Sequence, residues 1–548
     1  MIMKKLPLIN SAHGSDTRNN INMAIKTIND RGLEILSESS FLTWLDENGI
    51  KHREEVQSVA DLPTNDSLNT VRGVADDNKI YIKKENGWVP FQTIDISKIN
   101  EMERKYDDAN IVIHISVLES ENPAQQIMNI INGSTCKRFT LPYGIKVTLE
   151  KKITLQNLKN CDINLNNIEW TIPDNCSWPG EKSAITVIDS EDVRTHNMKI
   201  DGNKHNNTSE IFGLIVRNVK GYRNYDFEAK DVNYHAIYID DNTPDLKFYN
   251  TTKFNNCYSE TIAGSSDVFI SNVPVDDFYF QNVESERDIA GKQHGQVFYV
   301  NGYNGKVDSI KGKNVASPFD ARIGSHVIGN IDIDGCLSSF IVQSYPDAKK
   351  DEKADITVHK LKATNVDPSN AYGSAMIFVT ACKKLIINEV DVRAKPGVTQ
   401  AWYVSRFDHR GAGTATTYPE NIIIKNIYGE GHSSNGVVTL NLDEDILIEN
   451  AELVGNGQNA HAFNVGNGDK KGRLIARNTK QIGHAYGKFG GQREKIIVED
   501  SFPSVGSTEN RPNNISNMQV HQYYDTTINK MIMWDGNNWK NMDGSFAN

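Results

Sequence analysis

The segment HAIYIDDN, residues 235–242, places an imidazole and two carboxylates around four residues that favour a β-strand. Side chains two residues apart on a strand share one face. His235, Asp240 and Asp241 therefore have the residue types for general acid–base chemistry or for solvating an exposed surface. Which of these applies depends on the elements around them.

Composition excludes several classes of protein. The chain has 548 residues, a formal net charge of −11 and 38% hydrophobic residues, and its 39 Gly, 20 Tyr and 19 Phe argue against disorder. Nucleic acid is not expected as a partner, because such binding needs clustered Lys and Arg. Six widely spaced cysteines predict buried thiols rather than disulfides or a zinc site. No apolar run is long enough for a signal peptide or membrane span, so no membrane insertion is expected.

The ends of the chain differ from its middle. Two short helices are predicted near the N-terminus, and Ile96, Ile99, Met102 and Tyr106 follow a heptad-like spacing. A hairpin with an Asn86-Gly87 turn precedes that segment, and the C-terminus repeats its design. We therefore expect five regions: an N-terminal helical attachment region (1–56), a β-hairpin module (57–92), a short helical linker (93–120), a central domain (121–502) and a C-terminal β-hairpin module (503–548).

The central domain repeats one pattern. Short alternating apolar strands are followed by a polar residue or Asn and a turn, as in ITLQNLKNCDINLNN and IIIKNIYGEG, with roughly 20–30 residues in each cycle. Such recurrence indicates a solenoid. The short strands, and the asparagines at positions 157, 218, 282, 426 and 450, predict a mostly β protein built as a right-handed parallel β-helix. In stacked turns, each Asn side-chain amide would form a hydrogen bond with the Asn of the next turn. A β-propeller is the alternative fold.

Three segments resemble the pectate-lyase-like β-helix tailspikes and appendages of bacteriophages. They are the helix and entry strands in PAQQIMNIINGSTCKRFTLPYGIKVTL, the turn in MKIDGNKHNN, and the ending ENRPNN…YYDTTINKMIMWDGNNW. The N-terminal HGSDTRNNINMAI is similar to a virion-attachment segment. The resemblance implies a homotrimer on the phage tail, assembled in the host cytoplasm and attached to tail or baseplate proteins through its N-terminus. It also implies contact with a bacterial surface polysaccharide or teichoic acid, but no catalytic residue carries over.

Stacking the turns by their apolar residues predicts the position of the site. HAIYIDDN, ETIAGSSD, GQVFYVNG, FDARIGSH and SFIVQSYPD fall on successive turns of one sheet, so their flanking polar residues gather along one side. The catalytic candidates are Glu260, Asp240, Asp288, His235, His294 and Asp320, and the substrate-binding candidates are Arg322, Gln296, Gln343, Asp241, Tyr238 and Tyr345. Each one alone could equally be a solvating or packing residue, and a one-residue error in register would turn every side chain over.

Three chemistries are open to these residues. Glycoside hydrolysis, the favoured one, needs two carboxyls about 5–9 Å apart, and Glu260 with Asp240 or Asp288 is the preferred pair. A lyase would use a base such as Arg322 with a carboxylate-held cation. Cleavage of a teichoic acid phosphodiester would use His235 or His294 with carboxylates. No cofactor is expected, since the sequence has no tight metal-ligand spacing that would indicate a divalent cation.

The favoured function is binding and depolymerising a cell-surface glycopolymer during host adsorption. The first alternative is a virion adhesin that holds the polymer without cutting it. The second is a cellular polysaccharide lyase, which the missing secretion signal and the virus-like end modules disfavour.

Overall fold

A computed structural model describes residues 51–90 and 110–547, except for short segments, the longest of which are 289–294, 344–352, 368–373, 409–418 and 512–520. The predicted helices before residue 51 and the heptad-like segment lie outside the described residues. The chain divides into two compact units, Met1–Ala109 and Asn110–Asn548. In the described residues, no helix is both long and apolar enough to cross a membrane.

The first unit contains a four-stranded sheet whose strands are Lys51–His52, Thr70–Val74, Lys79–Lys84 and Gly87–Pro90. The first two strands are parallel, and the last three form an antiparallel meander. Lys84 pairs with Gly87 across the tight turn, as the Asn86-Gly87 signal predicts. Val74 and Tyr81 are buried in a small core of their own.

The second unit is a parallel β-solenoid of about 12 turns, which confirms the predicted β-helix. The turns contribute strands to three sheets, called sheets 1, 2 and 3 in the order in which the chain passes through them from Ile153 onward. Sheet 1 contains the first part of Ser183–Asp201 and the strands Ile153–Gln156, Phe212–Lys220, His235–Asp240, Ser266–Ile270, Gln296–Val300, Ser317–Ala321, Phe340–Val342, Ala375–Val379, Tyr403–Asp408, Val437–Leu440, Phe463–Val465 and Phe489–Gly491.

Sheets 2 and 3 share most of their strands, which bend from one sheet into the other. These shared strands are the rest of Ser183–Asp201, then Arg223–Lys230, Lys247–Asn255, Phe278–Glu286, Asn304–Lys313, Ser325–Asp334, Asp355–Val366, Ile422–His432, Ile446–Gly455 and Leu474–Ile482. Sheet 2 also contains Asn110–Val112, Arg138–Thr140, Lys159–Asn164, Lys384–Ile387 and Ile496–Glu499, and sheet 3 also contains Lys146–Thr148, Glu169–Thr171, Val390–Ala394 and Ser504–Gly506. The strand Asn110–Val112 lies in the segment that the sequence assigns to the linker.

Both ends of the solenoid carry additional structure. Ile115–Leu118 and Pro123–Asn132 are helices, and the second buries Ala124, Ile127 and Ile131 against the first turns. The Glu150 carboxylate accepts the N–H groups at the start of that helix. At the other end, His521–Asp525, Lys530–Trp534 and Trp539–Asn541 form an antiparallel meander that joins sheet 3 through Ser504–Gly506. Short 3₁₀ turns are Val59–Asp61, Lys204–Asn206, Arg493–Lys495 and Thr508–Asn510.

The interior consists of columns of like residues. Ile237, Val268, Phe298 and Phe319 occupy one inward column on four successive turns, and all are buried. Alternate residues point outward, so the apolar periodicity of the strands fixes which face is buried. The apolar core extends without interruption from Ile113 to Phe489.

Asparagines at two of the five predicted positions, 426 and 450, stack as the sequence predicts, whereas Asn218 donates to Asp189 Oδ1 and Asn282 to Asn250 O. Asn426, Asn450 and Asn478 have left-handed φ values of 50°, 54° and 50°, which Asn tolerates better than most residues. The Asn450 amide donates to Asn426 Oδ1 (3.1 Å), and the Asn478 amide donates to Asn450 Oδ1 (3.2 Å). These three successive bends between sheets 2 and 3 are thereby bonded to one another.

We expect Asn450→Ala to lower the free energy of unfolding by about 2 kcal/mol. Alanine is strained at the left-handed φ of this position, and the substitution removes the two exposed hydrogen bonds of the Asn450 side chain. Asn450→Gly keeps the backbone freedom and loses only the ladder bonds, so its effect should be about half as large. Denaturant unfolding measures both. The control is Asn304→Ala, an exposed residue without left-handed φ; a loss there equal to that of Asn450→Ala would contradict the role of the ladder.

Candidate functional site

The outer face of sheet 1 gathers the sequence-predicted residues. His235–Asp240, Ser266–Ile270, Gln296–Val300, Ser317–Ala321 and Phe340–Val342 stack on successive turns. Four of the predicted segments contain residues of these strands in the expected order. The second, ETIAGSSD, overlaps its strand only at Ser266 and Asp267, so its predicted register was wrong. One outward column consists of Tyr238, Phe269, Tyr299, Asp320 and Ile341. A second, polar column lies where these strands end, and its members are Arg217, Asp240, Ser271, Asn301, Arg322 and Gln343.

Three rings of the first column form an aromatic ladder. Tyr238 and Phe269 are parallel with centroids 5.4 Å apart, and Phe269 and Tyr299 are parallel at 4.9 Å. The edge of Phe212 packs on Tyr238, and the Arg322 guanidinium lies 5.1 Å from the Tyr299 centroid. The ring faces are therefore covered by one another and by these two residues. Tyr238, predicted to bind substrate, can present its ring edge and hydroxyl to a ligand rather than its face.

A buried carboxyl lies at one end of the ladder. Asp320 is 1% exposed and is paired with Arg322, whose Nη2 and Nε lie 3.1 Å from its two oxygens. Gln296 Nε2 donates to Asp320 Oδ2 at 2.9 Å, and Gln343 Nε2 lies 3.3 Å from both oxygens. These four residues, called here the Asp320 cluster, were all predicted from the sequence to belong to one site.

The environment of Asp320 makes it a candidate acid. Burial raises the pKa of Asp320 above its ordinary value, and the Arg322 charge opposes that change without cancelling it. A pKa above the ordinary value favours the protonated form, which is the form that a general acid requires.

A second charged group lies at the other end of the ladder. Arg217 Nη2 contacts Asp240 Oδ2 (3.0 Å) and Glu181 Oε1 (2.7 Å), and its Nε lies 3.5 Å from Asp241. Ser271 donates to Asp240 at 2.6 Å. Burial acts to raise the pKa of Asp240, but the hydrogen bonds and Arg217 outweigh it, so the pKa lies below its ordinary value. Asp240 is thus an anion fixed by its partners.

Arg217, Glu181 and Ser271 were missed by the sequence analysis. Arg217 was detectable, because LIVRNVKGY aligns with HAIYIDDN by its apolar residues and places Arg217 directly beside Asp240. Glu181 lies in a turn before its strand, and Ser271 has no ionisable group to attract notice.

The remaining candidates lie elsewhere or outside the described residues. His235 is 1% exposed, with Nδ1 bonded to Ser266 Oγ and its ring against Phe269 and Tyr234, so it lies beneath the outer face. Burial lowers the pKa of His235 to about 3. Asp288 is exposed and follows the end of a sheet 3 strand, at the opposite end of the sheet 1 strands from Asp240. Glu260, His294 and Tyr345 are not among the described residues.

The separations limit the available chemistry. Asp240 and Asp320 are three turns apart, roughly 14 Å at the usual inter-strand spacing. A glycosidase pair is about 5–9.5 Å apart, so these two carboxyls do not act on one bond. In the part of the chain that the structure describes, no group of three or more His, Cys, Asp or Glu side chains could hold a metal ion.

No protein-family description and no curated protein matches the sequence. Among solved structures, the chain is similar to tailspike protein 3 of bacteriophage CBA120, with 13% identity and a TM-score of 0.33 over 92% of this chain and 88% of that one. ORF18 of Geobacillus virus E2 has 14% identity and a TM-score of 0.29 over 91% and 88%. The catalytic domain of a GH87 α-1,3-glucanase in complex with nigerose has 13% identity and a TM-score of 0.34 over 72% and 69%. Similarities at these identities and TM-scores support no argument about function, so the functional proposal rests on the residues of this chain.

Proposed function

We propose that the chain is a receptor-binding protein of a bacteriophage tail that binds a bacterial surface glycopolymer along the outer face of sheet 1. The observation that carries the proposal is this face itself: two charged clusters, with carboxyl pKa values shifted in opposite directions, lie at the two ends of one aromatic ladder. Shifted carboxyls of this kind are typical of functional sites.

The repeat of the solenoid favours a polymeric ligand. The polar column has one position per turn, roughly every 4.8 Å, and its partly exposed members are Arg217, Asp240, Arg322 and Gln343. This spacing is close to the length of one hexose in an extended chain, so one extended polymer spans Arg217 and Asp240 at one end of the column and Arg322 and Gln343 at the other. The half-buried ladder beside that column keeps the face rigid, which lowers the entropic cost of binding.

We further propose that the site cuts the polymer, with Asp320 as the general acid. The Asp320 carboxyl proton would go to the departing glycosidic oxygen, while water adds at the anomeric carbon and gives its proton to a second carboxylate. Asp240 is too distant for that second role, and Glu260 stays the prediction for it. Arg322, Gln296 and Gln343 would hold the acid in position.

The assembly around this site is part of the same proposal. We expect a homotrimer in the virion, assembled in the host cytoplasm and attached to other tail or baseplate proteins by the N-terminal residues. A virion adhesin that does not cut the polymer and a cellular polysaccharide lyase are the alternatives. The lyase would release unsaturated sugars, which absorb ultraviolet light, whereas hydrolysis produces none.

The experiment incubates the purified full chain with exopolysaccharide and with wall teichoic acid from candidate hosts, then measures polymer length by size-exclusion chromatography and counts new reducing ends. We expect one polymer to be retained and shortened. Retention without shortening identifies the adhesin. A protein that retains neither polymer from a host to which its phage adsorbs contradicts the proposal.

A further inference from the structure

The outer face of sheet 2 changes character along the solenoid. The strand register aligns one outward residue of each strand into a single column. Up to Lys306 these residues are polar or aromatic, in the order Arg138, Asp162, Arg194, Arg223, Lys247, Tyr279 and Lys306. The next seven are Val327, Thr357, Ile386, Ile423, Leu447, Ile475 and Ile497. These seven residues are called here the sheet 2 column, and six of them are aliphatic.

The sheet 2 column is accessible to solvent in the single chain. On the strand Ile422–His432, Ile423 is partly exposed, whereas the residues before and after it are buried. The same alternation places Leu447 and Ile475 on the outer face. Val327, the first member, is 42% exposed. The column is therefore an apolar strip on the surface and not a part of the interior.

The apolar character belongs to sheet 2 and not to these turns as a whole. On sheet 3 the same turns contribute an outward column that consists of Lys362, Asp391, Tyr428, Glu452 and Lys480. Leu447 and Glu452 even lie on one strand, Ile446–Gly455. The solvated face of a sheet normally carries polar residues in alternation with the apolar interior. A continuous aliphatic run on such a face therefore marks an interaction surface.

Charged residues border the sheet 2 column on both sides. On one side their signs alternate from strand to strand, in the order Lys425, Glu449, Arg477 and Glu499. Neighbours in this series form ion pairs, with distances of 3.8, 3.3 and 2.7 Å. On the other side Asp445 and Arg473 are paired at 2.6 Å. An apolar centre with a polar rim is the usual anatomy of a protein–protein interface.

We propose that the sheet 2 column is the surface through which copies of this chain associate side by side along their solenoids. Its side chains recur in a straight line, roughly every 4.8 Å. A second copy presents an apolar strip with the same repeat and the same length, so the side chains of the two strips can interdigitate from Val327 to Ile497. Association removes the aliphatic side chains from water, which is the main driving force for such a contact.

The charged borders also fit a second copy. The second copy has the same alternation of signs with the same period. Each Lys or Arg in the border of one copy therefore finds a carboxylate of the other copy at the same height or one turn away, roughly 4.8 Å along the axis. Complementary charges of this kind fix the register of two surfaces more than they add to affinity.

The size of the surface is suitable for a stable contact. The sheet 2 column is roughly 29 Å long, and with its two borders it is roughly 20 Å wide. The area is about 600 Å² in each copy, close to the roughly 800 Å² per partner of specific interfaces. The inference deepens the assembly part of the proposed function, and it rests on that proposal only for the number of copies.

The first test measures the mass of the full chain, of Ile475→Asp and of Val112→Asp by light scattering over a range of protein concentrations. Ile475 is flanked by Arg473 and Arg477, which compensate the new carboxylate within one chain, and thermal unfolding confirms that the variant folds. Val112 is the matched control, an apolar residue that is 68% exposed on a sheet 2 strand at the other end of the solenoid. We expect an oligomer whose dissociation constant rises about tenfold or more in Ile475→Asp and stays unchanged in Val112→Asp.

The second test reports on the sheet 2 column itself, whatever other contacts hold the copies together. Leu447→Cys and Glu452→Cys are treated with a polyethylene glycol maleimide. Both positions are partly exposed on the same strand, and the five cysteines that the structure describes are buried. We expect Leu447→Cys to react about tenfold more slowly than Glu452→Cys in the oligomer, and the added substitution Ile475→Asp to restore its rate.

The inference is overturned if the full chain is a monomer, if the two cysteine variants react at equal rates, or if Val112→Asp dissociates the copies as strongly as Ile475→Asp. A monomer in which Leu447→Cys is protected would assign the column to another segment of the same chain, which also overturns the inference. Failure of the proposed function appears separately, as the absence of polymer retention by a chain whose copies associate through the sheet 2 column.

Discussion

Asp320→Asn should reduce polymer cleavage by about 10²–10⁴-fold while leaving polymer binding close to that of the unaltered protein. The range is the usual contribution of a general acid, whose proton an amide cannot supply. In the unaltered protein, the rate should fall on the alkaline side as Asp320 loses its proton, at a pH above the ordinary pKa of aspartate because burial raises the pKa of Asp320. Initial rates of reducing-end formation across pH measure both effects.

The matched control for this prediction is Asp408→Asn. Asp408 is a buried carboxyl on the same sheet, and it is bonded to Arg406 at 2.7 Å. Both substitutions leave an arginine without its bonded carboxylate, so both should cost stability to a similar degree. A role in packing alone would give the two variants equal losses of rate. Equal losses, or full activity in Asp320→Asn, would contradict the assignment of the acid.

The free energy of unfolding should fall by about 4 kcal/mol between pH 6.5 and pH 5. Burial lowers the pKa of His235 and His432 to about 3 and that of His326 to about 4. Unfolded histidine takes up a proton below about pH 6.5, whereas these three stay neutral, so acid favours the unfolded state. The three together contribute about 5 kcal/mol over this interval.

Two buried carboxyls, Asp267 and Asp320, act in the opposite direction, because burial raises the pKa of each. Burial raises the pKa of Asp267 to about 6, so the folded protein binds a proton that the unfolded chain binds only below about pH 3.8, and acid stabilises the fold by about 1 kcal/mol at pH 5. The three histidines nevertheless have the larger effect on the pH dependence of the free energy of unfolding. His432 Nε2 and His484 Nε2 are 2.7 Å apart in the interior, which requires at least one of them to be neutral.

Thermal and denaturant unfolding at a series of pH values tests this prediction, with His326→Leu and His359→Leu as the variants. His326 is buried between Phe278 and Phe319, whereas His359 is exposed. His326→Leu should remove about 2 kcal/mol of the pH dependence, although the loss of its bond to Ile323 O lowers stability at every pH. His359→Leu should change neither the pH dependence of unfolding nor the stability at a given pH. An unaltered pH dependence in His326→Leu would contradict the account.

The register of sheet 1 is fixed by burial, which made it predictable from sequence in every turn named except that of Ser266–Ile270, where ETIAGSSD was chosen instead. Ile237, Val268, Phe298 and Phe319 must all point inward, so the residues that follow them, Tyr238 through Asp320, must share the outer face. That single constraint brought Asp320, Gln296, Arg322 and Gln343 together correctly. The asparagine ladder was predictable for a similar reason, since like bends stack on like bends.

The positions of residues beyond the strand ends were not predictable in the same way. Asp240 and Asp288 both flank strands of the same few turns, yet one ends a sheet 1 strand and the other follows a sheet 3 strand. Left-handed residues at the bends, such as Asp241 with a φ of 51°, decide which way the chain leaves a sheet. An apolar pattern fixes the strands but does not contain this information.

The depth of a polar side chain was also hidden in the sequence. His235 precedes an outward column, yet Phe212, Tyr234 and Phe269 enclose it. The enclosing rings come from three different turns, so their convergence depends on side-chain packing. The position of Arg217, by contrast, was detectable, because it is the register partner of Asp240, the carboxylate that it neutralises.

Hydroxyl-radical footprinting of the full chain with and without its polymer tests most directly whether the outer face of sheet 1 is the binding surface. Tyr238, Phe269 and Tyr299 are partly exposed there, while Tyr143 (72% exposed) and Tyr486 (42% exposed) lie elsewhere and report non-specific effects. Bound polymer should protect the three ladder rings from oxidation and leave Tyr143 and Tyr486 unchanged. Oxidation of the ladder at the same rate in the presence of bound polymer would contradict the account.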